Sequence, residues 1–167
     1  FFLGTLGLLV ISQSGNPKRR HAASFFMWLA VHRRCLTADN LERRNWPSNR
    51  VCPLCSSEPE TCSHLFVHCS FSIQVWARFR DWARADFQTP DLNFSTTEDW
   101  WLKARAGIPK EMRPNFDTID TLLHSRVRKE RNARIFEHVA SNVDRVMELI
   151  REDIAVWRAA GCVGDVH

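Results

Sequence analysis

Between Cys52 and Cys69 the chain places four thiols and two imidazoles within eighteen residues, C-P-L-C-S-S-E-P-E-T-C-S-H-L-F-V-H-C. A short segment of this kind cannot build a hydrophobic core of its own, and small domains in that position fold around a metal ion. The opening Cys52-Pro53-Leu54-Cys55 has the two-residue gap that lets two thiolates share one ion. A structural zinc site needs four N or S donors in a tetrahedron, with Zn–S about 2.3 Å and Zn–N about 2.0 Å, and leaves no open position for catalysis. Zinc is therefore the first candidate.

Two donor sets compete. If Glu60 to Cys69 is a regular helix, His64 and His68 lie about 6 Å apart on nearly one face and favour a Cys2His2 site. If the segment breaks into a turn before Cys69, His64 and Cys69 close a C-x2-C-x8-H-x4-C set with Cys52 and Cys55. The H-x4-C end of that set is the same as in the short C-x2-C-x4-H-x4-C knuckle, and it is the set preferred here. Disulfides would need an oxidising compartment. The apolar run Phe1 to Ile11 has no basic stretch ahead of it, as a secretory signal would. Cys35 and Cys162 also stand far from the cluster.

Several residues carry a resemblance. These are the run from Ser24 to Leu41, then Arg43-Arg44, Cys52-Pro53-Leu54-Cys55, Glu60-Thr61, His64-Leu65-Phe66, Cys69 and Val75-Trp76. In that order they resemble the zinc-binding domain of reverse transcriptases, in the version found in plant non-LTR (LINE-type) retrotransposons. The resemblance implies Cys52, Cys55, His64 and Cys69 as ligands of one zinc ion and leaves Cys62 and His68 without a metal role. Arg128 to Phe136, with Trp157 and Ala160-Gly161, is similar to the tail that often accompanies this domain, although Arg128 stands where the tail usually has an aromatic residue. A polymerase domain of the parent element is the partner that the resemblance implies.

Charge is unevenly spread. Residues 18–50 hold eight Lys or Arg against Asp39 and Glu42, whereas residues 51–167 hold fifteen basic and seventeen acidic side chains. The positive end lies just upstream of the cysteines, where RNA or DNA would dock, and Arg33, Arg34, Arg43 and Arg44 are the candidate contacts. The alternative is a zinc-stabilised structural or protein-interaction domain with no nucleic-acid role. Clustering of those arginines on one exposed face would favour the first reading, and pairing with Asp39 and Glu42 the second.

The expected fold is mainly α: a small knuckle-like zinc module between helices, followed by a C-terminal antiparallel helical pair. Phe1 to Ile11 is too short to span a bilayer, and Ser12 to Pro17 reads as a linker. The zinc-binding domain is placed at 18–86, a connecting region with one short helix at 87–114, and the helical tail at 115–161. The pattern predicts a helix over 22–35 and a short one to Arg44 capped by Thr37. A third, capped by Ser70 or Ser72, buries Ile73, Trp76, Phe79 and Ala83. Ser95-Thr-Thr-Glu98 is a capping-box pattern. The tail would turn Phe116, Ile119, Leu123, Val127 and Phe136 inward. Ser141 would then cap a last helix that buries Val143, Val146, Met147, Ile150, Ile154 and Trp157 and stops at Gly161.

No sequence of catalysis accompanies these elements. The chain has no Asp-Asp pair of the kind a polymerase palm uses, no Walker-type glycine loop and no G-x-S-x-G elbow. A non-enzyme is expected, intracellular and without a membrane anchor.

Overall fold

The computed structural model describes residues 35–161. The apolar segment 1–11, the linker at 12–17, all but the last residue of the helix expected over 22–35, and Arg33 and Arg34 lie outside the described residues. The fold is mainly helical, in the order α1 (Ala38–Glu42), a π-helical turn (His64–His68), α2 (Ser70–Ala83), α3 (Thr97–Ala106), a 3-10 turn (Lys110–Met112), α4 (Arg113–Asn132), a second π-helical turn (Ala133–Glu137) and α5 (Val143–Ala159). Among the described residues the extended pairing is a single antiparallel bridge between Val51 and Pro59. No helix there is long and apolar enough to cross a membrane.

The core follows from the helical stripes. Trp76, Phe79 and Ala83 of α2, Trp100 and Ala104 of α3, Phe116, Ile119, Leu123 and Val127 of α4, and Val146, Met147, Ile150 and Ile154 of α5 are all buried. Trp76 sits at the centre, its ring edge-on to Trp100 at 4.7 Å, Phe87 at 5.8 Å and Phe79 at 6.4 Å. Each buried indole removes about 150–250 Å² from water, roughly 4–6 kcal/mol as an upper bound, so these rings anchor the packing. Helix α5 contacts α4 through the Arg126–Asp153 ion pair and α2 through Arg78–Asp144 and the Arg151 guanidinium over Trp82. It is thus held by two helices at once.

Local polar geometry departs from the sequence reading at several ends. Thr37 does not cap α1: its hydroxyl donates to Asp39 Oδ1, and the free Ala38 N–H is taken by the Glu60 carboxylate at 2.9 Å. Neither serine caps α2, since Ser70 is its first residue and the buried Ser72 hydroxyl donates to Leu65 O at 2.6 Å. The α3 cap is Thr96, one residue later than the start of the expected box, with Asp99 N–H donating to its hydroxyl at 3.0 Å. For α5 the cap is Asn142, whose Oδ1 accepts the Arg145 N–H at 2.8 Å, while the Ser141 N–H goes to Glu130 at 2.7 Å. Phe136 does not turn inward. It is 70% exposed, since nine steps from Val127 carry it about half a turn away from the buried stripe of α4.

Candidate metal centre

A narrow hairpin presents the first two donors. Glu60 N–H donates to Arg50 O at 2.7 Å and Cys52 N–H to Glu58 O at 2.8 Å, so the strands pair across the Val51–Pro59 bridge. Cys52 and Cys55 stand at the tip, which closes through Ser56 N–H to Cys52 O at 2.8 Å. Ser56 takes a left-handed conformation, φ 57°, to make that closure.

The other two donors come from the π-helical turn. In an α-helix, five steps would separate His64 from Cys69 by about 140° around the axis. Here Cys69 N–H donates to His64 O at 2.7 Å, an i→i+5 bond that brings the two residues back toward one side. Cys69 then leaves in an extended conformation and α2 begins, so the H-x4-C spacing is used up by one wide turn. The turn is fixed by Thr61, whose hydroxyl accepts the His64 N–H at 3.0 Å.

Cys52, Cys55, His64 and Cys69 each direct a ligand atom to one point, all four within 4.8 Å of one another. The edge lengths test the fit. A zinc tetrahedron with the bond lengths above has S···S edges of about 3.8 Å and S···N edges of about 3.5 Å. Cys52 Sγ and Cys69 Sγ are 3.9 Å apart, and Cys55 Sγ and His64 Nε2 are 3.4 Å apart. Those two edges stand close to metal-bound spacing, and the group can hold one zinc ion with every position filled by protein.

Proton chemistry agrees. The hydrogen bond to the Cys69 thiol, together with burial, pushes Cys52 up to about 12, and the same bond holds Cys69 below the usual thiol range against its burial. The bond to Cys52 raises His64. Burial pushes Cys55 up, but hydrogen bonds from Ser57, Glu58 and His64 outweigh it and leave it lowered. Without metal the cluster shares protons among close thiols, and zinc would displace them.

The competing donors are elsewhere. His68 Nε2 donates to the Phe94 carbonyl at 2.6 Å, tying the turn to the segment before α3. Cys62 is buried against Cys35. Of the four candidate arginines, Arg43 and Arg44 are described, both exposed and without an ion pair among the described residues. Glu42 pairs instead with Arg50, and Asp39 with the Thr37 hydroxyl. Trp46 N–H bonds to Leu41 O at 3.0 Å and Asn45 N–H to Glu42 O at 2.9 Å, with Asn45 left-handed at φ 56°. That is the double bond pattern of a Schellman cap. It displays Arg43, Arg44 and the 60%-exposed Trp46 from one turn.

Residues that the sequence reading gave no role border the centre. Arg131 donates twice to Glu60, at 2.7 and 2.8 Å, and Arg134 reaches the carbonyls of Pro53 and Leu54, both at 3.0 Å. The spacing of Arg131 and Arg134 on one face of a helix was visible, but nothing in it says which loop they meet.

Residues 13–76 match the family model described as zinc-binding in reverse transcriptase. The matched stretch holds all four donors, Arg43, Arg44 and the central Trp76, and it is similar to the zinc-binding module of those enzymes. No curated protein and no solved structure matches the chain.

Proposed function

We propose that this chain is a non-catalytic zinc-binding module of a plant LINE-type retrotransposon reverse transcriptase, and that it contacts single-stranded nucleic acid through Arg33, Arg34, Arg43 and Arg44. The observation that carries the nucleic-acid part is the turn after α1. Two exposed arginines, without acidic partners among the described residues, stand beside an exposed indole on a hydrogen-bonded scaffold. Unpaired bases stack on such rings while guanidinium groups neutralise phosphates. Zinc bound by four protein donors supplies folding energy and holds the hairpin that follows this turn.

Salt dependence tests it. Four phosphate contacts on a single strand give a log–log slope near −3, at about 0.7 counterion per contact. Reversing Arg43 and Arg44 to Glu should weaken binding of a single-stranded RNA and flatten the slope. Arg151→Glu, on the far helix α5, should leave both near wild type. No affinity at low salt, or a slope untouched by the double reversal, would favour a zinc-stabilised structural or protein-interaction domain instead.

A further inference from the structure

The metal hairpin does not stand alone against the tail. Arg134, in the second π-helical turn, places its guanidinium on the backbone of the Cys52–Cys55 knuckle. One terminal nitrogen donates to both Pro53 O and Leu54 O at 3.0 Å, the other donates to Ser141 O at 2.8 Å, and Nε donates to Glu130 Oε1 at 2.8 Å. The planar group also stacks 4.8 Å from the Phe71 ring centroid, at the start of α2 directly after Cys69. Every N–H direction of the fork that matters is used, and the side chain is only 17% exposed.

The contacts at Pro53 and Leu54 have a chemical consequence. Both carbonyls belong to the two residues that separate Cys52 from Cys55, so the guanidinium holds the backbone that spaces the first two donors. The need for a cation there is also electrostatic. Three thiolates and one imidazole around a divalent ion leave one net negative charge in a buried cluster, and a nearby guanidinium offsets it.

We propose that Arg134 is a positioning residue of the metal centre: it fixes the Pro53-Leu54-Cys55 turn and places a cation beside the donor cluster, so that the C-terminal tail sets part of the zinc affinity. The inference rests on the zinc reading of the cluster. It also makes the knuckle and the tail one folding unit, because the contact joins residues about eighty positions apart.

The test uses the full chain. Zinc affinity is measured by competition with a chelator, the site is read by the absorption of the cobalt-substituted protein, and helix content by circular dichroism. Arg134→Gln should keep its helices, bind zinc about 10- to 100-fold more weakly and shift the thiolate-to-cobalt band. Glu130→Met, which removes the acceptor of Arg134 Nε and of the Ser141 N–H but spares the knuckle carbonyls, should stay close to wild type in affinity and spectrum. Equal losses in the two variants would mean that Arg134 merely holds the tail, and the inference would fall. Unchanged zinc affinity in Arg134→Gln would overturn it as well. If Arg134→Gln loses its helical signal even with zinc present, Arg134→Lys decides: an ammonium reaches the carbonyls without the fork and should bind zinc more weakly than wild type, and a folded lysine variant with wild-type affinity overturns the proposal. A wild-type chain that takes up no zinc overturns the zinc reading, whereas normal wild-type loading with an indifferent Arg134→Gln overturns this inference alone.

Discussion

Breaking the pair between Glu60 and Arg131 should cost far more than replacing it. The guanidinium and carboxylate are 7% and 1% exposed and meet through two parallel hydrogen bonds of 2.7 and 2.8 Å. Glu60 Oε2 also accepts the Ala38 N–H at 2.9 Å, so one carboxylate links the start of α1, the metal loop and the end of α4. Arg131→Met removes one charge and leaves the other buried, which costs about 3–5 kcal/mol, and Glu60→Met has the converse effect of similar size. The double variant replaces the pair with two apolar chains of similar length. That exchange is near neutral by itself, and the remaining loss is the unpaired Ala38 N–H, about 1–3 kcal/mol. The singles should therefore sum to about 6–10 kcal/mol while the double costs about 1–3, a coupling well above 2 kcal/mol. Urea unfolding followed by the fluorescence of the buried Trp76 and Trp100, at fixed free zinc, measures all four corners of the cycle. Single variants that each cost less than about 1 kcal/mol, or that add up to the double, would refute the claim that this is a desolvated, energetically coupled pair.

Metal content is the next expectation: elemental analysis should find one zinc per chain, lost in Cys52→Ser and His64→Ala and kept in Cys62→Ser and His68→Ala. Because Cys52 stands at about 12 and His64 is raised, zinc uptake should release protons and affinity should fall as pH falls, which calorimetry in buffers of different ionisation enthalpy will register. Ile154→Ala, at a site 1% exposed, should cost about 2–5 kcal/mol in the same unfolding assay, and a loss below 1 would mean that α5 packs loosely. His124 lies fully buried on α4. Burial lowers its basicity, but the charge and hydrogen bonds of Asp120 outweigh that and leave it raised, with Nδ1 2.9 Å from both the Asp120 carbonyl and its Oδ1. A raised folded-state value gives stability that is complete below the unfolded value of about 6.5 and is lost as pH rises through the folded one. The stability gap between wild type and the Asp120→Leu/His124→Leu double variant should accordingly shrink from pH 6 to pH 9, and a gap that is flat or grows would contradict the assignment.

Spacing and period made much of this molecule legible. A C-x2-C knuckle and an H-x4-C end carry their own geometry, since a tetrahedron of fixed bond lengths admits few loop conformations. The apolar stripes of α2, α4 and α5 likewise state which faces are buried. The element ends were less legible because capping is a competition. Ser141 and Asn142 are equally good caps by type, and the chain uses Asn142, whose Oδ1 accepts the Arg145 N–H. Thr37 stands at the N-cap of α1, but its hydroxyl turns to Asp39 and the Glu60 carboxylate takes the Ala38 N–H. Phe136 stands nine residues after Val127, half a turn off the α4 stripe in a regular helix, so the period itself argues against its burial.

Charge was the least legible property, and the arginines show why. Arg43, Arg44, Arg131 and Arg134 are the same residue type, all within short basic runs, and a count of charges treats them alike. Their burial separates them: Arg131 is 5% exposed and bound to a carboxylate, and Arg134 lies on peptide carbonyls, whereas Arg43 and Arg44 face solvent. A guanidinium removed from water must find anions or carbonyls inside the fold, and it then contributes to the shape of the metal loop with most of its N–H groups committed there. A guanidinium left in water is free to exchange its hydration for a polyanion, at the cost only of side-chain order and the gain of released counterions. The basic flank and the basic tail are thus two different devices written in one alphabet. On the readings proposed above, Arg43 and Arg44 are the pair left in water to meet a nucleic acid, and Arg134 is the one placed against the backbone between Cys52 and Cys55.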